Sequence, residues 1–104
     1  MTDRELLELA AKAINLPGTW VENFGYRVDC EEPYFWNPLS DDGDALRLVI
    51  NLLLSVWTYE EEVEIGVPGM NRGLRILEPY NGDPYAATRR AIVRAAAEIG
   101  RQMK

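Results

Sequence analysis

Three aspartates surround one glycine in the stretch WNPLSDDGDALRL, which covers Trp36–Leu48. Closely spaced carboxylates can bind calcium, and a calcium loop places its oxygen ligands at alternate positions and closes with a bidentate glutamate. In the linear calcium-loop pattern the glycine follows the third acid, whereas Gly43 follows the second, and no acid lies between Asp44 and Glu60. The spacing therefore argues against a calcium site, and we expect no metal ion here.

The same residues fit the start of a helix. Pro38 disfavours helix at the residue before it, and Ser40 or Asp41 can act as the N-cap. Carboxylates in the first turn interact favourably with the positive end of the helix dipole. We therefore predict a helix from about Asp41 to Leu54, and we interpret the aspartates as its entry.

The chain offers few residues for catalysis. It contains no histidine, the side chain that most often acts as a general base near neutral pH. Cys30 has no histidine to activate it, and neither serine lies in a Gly-x-Ser-x-Gly turn. No glycine-rich phosphate loop is present. We expect a protein that is not an enzyme and needs no cofactor; the remaining catalytic hypothesis, acid–base work by carboxylates, requires a deep pocket with a buried carboxylate.

Charge defines two candidate binding surfaces. Residues 1–71 carry 14 acidic and 4 basic side chains, and residues 72–104 carry 7 basic and 3 acidic ones. The basic surface lies on the predicted C-terminal helix and consists of Arg89, Arg90, Arg94 and Arg101. Arginines on one helix can neutralise phosphates, but the net charge of -6 and the pI of about 4.6 are not typical of a nucleic-acid-binding domain. A solvated helix face is the alternative.

The acidic surface consists of Glu60, Glu62 and Glu64, which alternate along a strand-like segment. Together with Glu61, Asp29, Glu31 and Glu32, such a row could mimic DNA and occupy a nucleic-acid-binding protein. It could equally keep the chain soluble and discourage pairing between sheet edges. Charge alone does not separate these interpretations.

A third candidate is the aromatic cluster Tyr34, Phe35 and Trp36. Tyrosine and tryptophan are enriched among the residues that dominate binding energy at protein interfaces, so the cluster could anchor a partner. The same side chains could instead belong to the core and cover the middle helix. Both interpretations stay open at this point, with Tyr34 and Trp36 as the candidate partner-binding residues.

Size and composition predict one domain, residues 1–104, in the cytoplasm. A chain of 104 residues can bury a single modest core. The lone cysteine fits a reducing compartment, and the charged N-terminal segment is unlike a signal peptide. No apolar run reaches the roughly 18 residues that a membrane span requires, so we expect no membrane association.

Three segments are predicted to be helical. The first opens with a Thr-x-x-Glu capping box at Thr2 and carries an apolar stripe. The middle helix, from about Asp41, has apolar residues around most of its circumference, so we expect it to be the most buried helix. The third begins at Asp83, followed by a proline at the first helical position, and packs through alanines.

Strand-like segments lie between the helices. Residues 20–22 and 26–29 flank Asn23-Phe24-Gly25 as a hairpin, and VWTYEEEVEI is predicted to be one strand that pairs with residues 72–77. The turn GVPGMNRG separates that second pair. The order is α-β-β-α-β-β-α, and the fold class is α+β, a helix/sheet/helix sandwich with a mainly antiparallel four-stranded sheet.

Two segments resemble a known family. Trp36, Asn37, Pro38, Ser40 and Asp41 form an aromatic-Asn-Pro-x-Ser-Asp stretch, and an alanine-rich helix with Arg90, Ala91 and Ile92 closes the chain. Over residues 36–54 and 83–100 the sequence resembles the phage ABA sandwich domain, a family of small bacteriophage and prophage proteins. The resemblance implies a layered helix/sheet/helix fold and a phage origin, and it implies no activity, ligand or functional residue.

Taken together, these features predict a phage or prophage accessory protein that binds a protein, such as a host or defence component. The alternatives are a nucleic-acid-associated protein that uses the arginines and a DNA mimic that uses the acidic row. A homodimer is also compatible with the sequence, because sheet edges or oppositely charged ends could pair.

Overall fold

The computed structural model describes residues 1–69 and 73–103. Its elements in chain order are α1 Asp3–Ala13, β1 Gly18–Val21, β2 Gly25–Val28, β3 Tyr34–Trp36, α2 Asp42–Leu52, β4 Ser55–Thr58, β5 Glu62–Gly66, β6 Arg75–Pro79 and α3 Pro84–Gln102. The predicted α+β class and the three helices are confirmed. The observed order over these residues is α-β-β-β-α-β-β-β-α, because each predicted strand pair gains a third strand.

Local capping interactions fix the starts of all three helices. At α1 the Thr2 hydroxyl accepts a hydrogen bond from the Glu5 N–H at 3.2 Å, and the Glu5 carboxylate accepts one from the Thr2 N–H. Asp41 caps α2 by accepting from the N–H of Asp44 at 2.8 Å, and Asp83 caps α3 in the same way. Each bond satisfies a backbone donor that a helix start leaves unpaired. The predicted helix starts are confirmed.

Two three-stranded antiparallel sheets replace the predicted four-stranded sheet, which was wrong. Sheet 1 has the order β1-β2-β3, and sheet 2 has the order β4-β5-β6. The predicted hairpins β1–β2 and β5–β6 are present. Strand β3 pairs Trp36 with Tyr26 across the sheet, and the two rings make an edge contact at 5.7 Å. The part of the turn between β5 and β6 that spans residues 70–72 lies outside the described residues.

The segment VWTYEEEVEI forms two strands rather than one. The chain turns at residues 59–61, and the Tyr59 N–H donates to the Glu62 carbonyl at 2.9 Å. Because of this turn, Trp57 pairs with Glu64 while Val56 pairs with Ile65, so Trp57 and Ile65 lie on opposite faces of sheet 2, whereas a single strand would place them on the same face. Val63 and Ile65 are fully buried on the inner face of sheet 2, and Trp57 lies on the outer face.

Helix α3 is the most buried helix of the fold. It packs against α1, against β5 and β6, and against α2. Its buried residues are mostly small and lie on more than one side: Ala87, Ala91, Ile92, Val93, Ala95, Ala96, Ala97 and Gly100. Because alanines project so little from the helix, several neighbours can approach α3 closely at once.

The prediction that the middle helix is the most buried was wrong. Only Ala45 and Leu48 of α2 are buried, and two of its large apolar side chains, Leu46 and Ile50, face solvent. Apolar residues around most of the circumference of α2 predict that this helix is covered on several sides. In the structure α3 occupies the central position instead, and α2 lies at the edge. None of the helices within residues 1–69 and 73–103 combines the length with the apolar character that a bilayer crossing requires.

The tightest contact between helices lies where α1 meets α3. A Cβ atom placed on Gly100 of α3 would lie 1.9 Å from the carbonyl oxygen of Leu9 in α1 and 2.8 Å from its carbonyl carbon. The obstacle is backbone, so it cannot move without moving the helix. Gly100 therefore sets the distance between the two helices.

We predict that Gly100→Ala lowers the free energy of unfolding by about 1–3 kcal/mol, because α1 and α3 must separate to accept the methyl group. The measurement is urea denaturation followed by circular dichroism. Gly43→Ala is the matched control in a helix, because its added Cβ would meet only the side-chain ends of Asp41 and Arg47. The control is expected to be neutral or stabilising by less than about 1 kcal/mol. Equal losses in both variants would contradict the close-contact explanation.

Candidate functional site

Arg89 is built into the fold rather than free to bind a ligand. Its side chain is 18% exposed and bridges α3 to the start of α2. The guanidinium donates from Nε to the Leu39 carbonyl at 2.9 Å and from Nη1 to the Asp42 carboxylate at 2.7 Å. Hydrogen bonds of this partly buried cation to both a carbonyl and a carboxylate stabilise its position.

The other three candidate arginines also have carboxylate partners. Arg90 and Arg94 both contact Glu78 of β6, at 4.0 Å and 3.2 Å, and Arg90 also reaches Asp3 of α1 at 3.4 Å. Arg101 forms an ion pair with Glu98 within α3. The hydrogen bond from Arg101 lowers the pKa of the Glu98 carboxyl, and Glu98 in turn raises the pKa of Arg101.

These pairings separate the four arginines into different sites. One contacts the start of α2, two contact β6, and one pairs near the C-terminal end of α3. A phosphate that bound them would have to displace carboxylates of the same chain. The nucleic-acid interpretation stays a prediction, and the arrangement of these arginines does not favour it.

The acidic row of the sequence is also divided in the structure. Glu64 pairs with Arg75 on the outer face of sheet 2, and the Arg75 guanidinium lies 4.9 Å from the centre of the Trp57 ring. Glu62 begins β5, whereas Glu60 lies in the turn between β4 and β5. The three carboxylates therefore do not form one continuous strand face, and β5, which carries two of them, is the central strand of its sheet.

The aromatic cluster is divided between the core and the surface. Trp36 is 3% exposed and belongs to the core, so it cannot contact a partner in this fold. Tyr34 and Phe35 are about half exposed, and Phe35 stacks on Phe24 with ring centres 6.0 Å apart. The core interpretation is thus right for Trp36 and wrong for its two neighbours.

The aspartates of the opening stretch each have a structural role. Asp41 caps α2, Asp42 pairs with Arg89, and Asp44 accepts from the Asn37 N–H at 3.0 Å. The helix-start interpretation is confirmed. Within the described residues, no group of three or more His, Cys, Asp or Glu side chains is arranged to hold a metal ion.

A polar cavity of about 570 Å³ lies at the N-terminal ends of α1 and α3. Its charged residues are already engaged: Asp83 caps α3, and Asp3 and Glu78 pair with Arg90. None of the charged side chains in the described part of the chain is buried. The carboxylate-chemistry hypothesis required a buried carboxylate in a pocket, and this cavity does not supply one.

The feature that the sequence analysis missed is a row of exposed apolar side chains on α2. Leu46, Ile50 and Leu53 are 57%, 64% and 75% exposed. Their spacing of four and three residues puts them on one face of the helix and its C-cap. We call these three residues the α2 row. The signal in the sequence is the presence of apolar residues around most of this helix. That pattern predicts burial on several sides, but one face of the helix is exposed.

The α2 row borders an apolar groove of about 400 Å³ between α2 and the start of α3. Leu46 contributes to both features, and Tyr85, which is 73% exposed, forms the opposite wall. We call this the apolar groove, and its lining consists of Asp42, Ala45, Leu46, Thr58, Tyr80, Pro84, Tyr85, Thr88 and Arg89. Volumes of this order are found in ligand-binding clefts.

Leu53 occupies a backbone position that does not suit leucine. It is the C-cap of α2 and has a left-handed conformation with φ of 54°. Glycine and asparagine are the usual residues at such a position. The other non-glycine residues with positive φ in the described part of the chain are asparagines: Asn15, Asn23 and Asn81.

The chain matches no protein-family model, no curated protein and no solved structure. The resemblance of residues 36–54 and 83–100 to the phage ABA sandwich domain therefore stays a prediction.

We predict that Arg89→Met lowers the free energy of unfolding by about 1–3 kcal/mol, because the Leu39 carbonyl and the Asp42 carboxylate lose their donor. Arg101→Met is the control and is expected to leave the free energy of unfolding close to that of the wild type, because its ion pair is exposed. Both values come from urea denaturation. If Arg89→Met were as neutral as the control, Arg89 would be available for a ligand after all.

Proposed function

We propose that this protein is a non-catalytic accessory protein of a bacteriophage or prophage. It acts in the cytoplasm of a bacterial host cell by binding another protein, from the host or from the phage. The binding surface is the α2 row together with the apolar groove.

The observation that carries the proposal is the exposure of the α2 row. Contacts with water at large apolar side chains are unfavourable, at about 25 cal/mol per Å² of apolar surface. Single exposed leucines are common on protein surfaces, whereas contiguous apolar patches usually mark interaction sites. Leu46, Ile50 and Leu53 form such a patch beside the apolar groove.

Leu53 gives independent support. A left-handed residue with a Cβ atom is disfavoured by roughly 1–2 kcal/mol, and glycine avoids this strain. Leu53 is also 75% exposed, so it contributes little to the core. Neither the backbone conformation nor the packing of the core requires leucine at this position. Binding of an apolar partner would require a large apolar side chain here.

The non-catalytic part of the proposal rests on the available side chains. The chain has no histidine, and the aspartates around α2 serve as caps and ion-pair partners. The phage origin rests on the resemblance around Trp36–Asp41 and in the C-terminal helix.

We predict that Ile50→Ser abolishes binding of protein partners while the free energy of unfolding stays within about 0.5 kcal/mol of the wild type, because Ile50 is mostly exposed. The measurement is quantitative mass spectrometry of proteins retained from an extract of the source organism. Phe24→Ser is the matched control, because Phe24 is a similarly exposed apolar residue in the turn between β1 and β2, far from α2 in the chain. The same retained proteins for all three forms would refute the α2 row as the binding surface.

A second variant separates binding from stability. We predict that Leu53→Gly weakens partner binding but leaves the free energy of unfolding unchanged or raises it by up to about 1 kcal/mol, because glycine relieves the left-handed strain. Asn15→Gly is the control at a comparable backbone position, and it should change stability less, because asparagine already tolerates this conformation. A loss of more than about 1 kcal/mol in Leu53→Gly would mean that the fold needs the leucine.

A further inference from the structure

The apolar groove continues into an acidic surface at one end. Tyr80 and Pro84 line the apolar groove and also line a neighbouring cavity that contains Glu60 and Glu61. These glutamates lie in the turn between β4 and β5. We call Glu60 and Glu61 the acidic turn. A ligand that leaves the apolar groove past Tyr80 meets these carboxylates next.

Hydrogen bonds hold the acidic turn in that position. The Tyr80 hydroxyl donates to the Tyr59 carbonyl at 2.8 Å, and the Tyr80 N–H donates to the Glu61 carbonyl at 3.0 Å. The Tyr59 N–H closes the turn by donating to Glu62. Tyr80 therefore forms part of the groove wall and also anchors the turn that carries the carboxylates. The distance between the apolar and the acidic parts is set by the fold.

The charge at this end is negative. Glu60 and Glu61 are exposed, and neither forms an ion pair with any residue in the ranges 1–69 and 73–103. Among the described residues that line the groove, Arg89 is the one cation, and it is offset by Asp42 at 2.7 Å. The whole chain carries a net charge of -6. A partner seated here would experience a field that favours positive side chains.

We infer that the apolar groove accepts a basic amphipathic segment of a partner protein. Its large apolar side chains enter between Leu46 and Tyr85, and its lysine or arginine side chains lie over the acidic turn. This inference rests on the proposed function and specifies the chemistry of the partner. A second copy of this chain is a poorer occupant, because its own net charge of -6 would be repelled by the same carboxylates.

Two designed peptides test the inference. One is an amphipathic helix with leucines on one face and lysines on the other, and its counterpart has glutamate in place of each lysine. Binding of each fluorescently labelled peptide is measured by fluorescence anisotropy at low and at physiological ionic strength. The lysine peptide is expected to bind at least about tenfold more tightly at low ionic strength, with a smaller difference in salt.

The charge contribution is assigned with a double variant, Glu60→Gln with Glu61→Gln. It should weaken binding of the lysine peptide about threefold to twentyfold at low ionic strength, in line with two exposed charge contacts. The matched control is Glu31→Gln with Glu32→Gln, which changes the net charge by the same amount at two adjacent exposed residues away from the groove. The control should change affinity less than about twofold. Equal effects of the two double variants would overturn the inference.

Leu46→Ser distinguishes this inference from the proposed function. If Leu46→Ser weakens binding of the peptides but the acidic-turn variant does not, the groove binds an apolar segment and only the basic-partner inference fails. If Leu46→Ser leaves peptide binding unchanged and Ile50→Ser retains the same partners as the wild type, the proposed function fails as well. Sedimentation velocity tests whether a second copy of this chain occupies the groove. If the protein is a dimer and Leu46→Ser dissociates it, the occupant is a second copy and the inference is overturned.

Discussion

The close approach of α1 and α3 is the constraint on which the rest of the structure depends. At Gly100 the backbone of α3 lies so near the Leu9 carbonyl that no side chain fits between them. The alanines of α3 extend this close packing toward α1, sheet 2 and α2. With α3 at the centre, the larger side chains of the neighbouring elements fill the core around it, and α2 lies at the edge with one face uncovered. The open α2 row is therefore a consequence of how the core is packed.

Features set by nearby residues could be predicted from the sequence. The caps at Thr2, Asp41 and Asp83 and the turn after Val21 each depend on residues within a few positions, and all of them occur as predicted. The turn at residues 59–61 carries no comparable local signal, because it lacks the glycine or asparagine that marks a tight turn. Strand β3 has only three residues, which is too short for an alternating pattern to show, although its aromatic residues favour a strand. The ranking of helices by burial depends on contacts between distant segments. Hydrophobicity made α2 look central, whereas the small residues of α3 decided the packing.

The difference between local and distant contacts also explains which properties of the candidate sites could be predicted from the sequence. The sequence shows that four arginines share a helix, but it does not show that Arg89 meets Asp42 or that Arg90 meets Asp3, because these partners are 47 and 87 residues apart. The sequence identifies which side chains are charged, whereas the fold determines whether a charged side chain already pairs with another residue of the chain. The aromatic cluster divides for a similar reason. Successive residues of a strand face opposite sides, so Trp36 enters the core while Phe35 faces solvent.

The two ends of α2 differ in a way that bears on function. Its start is well suited to stability, because Asp41 caps the helix and two further carboxylates meet the positive end of its dipole. The C-terminal end of α2 is poorly suited to stability, because Leu53 adopts the left-handed conformation and exposes three quarters of its surface. A chain shaped by stability alone would have glycine or asparagine at that position, as the asparagines at its other left-handed positions illustrate. The strain lies in the same residue that completes the α2 row. Strained residues persist where the surrounding structure serves another purpose, and the partner binding that we propose for this surface would be such a purpose.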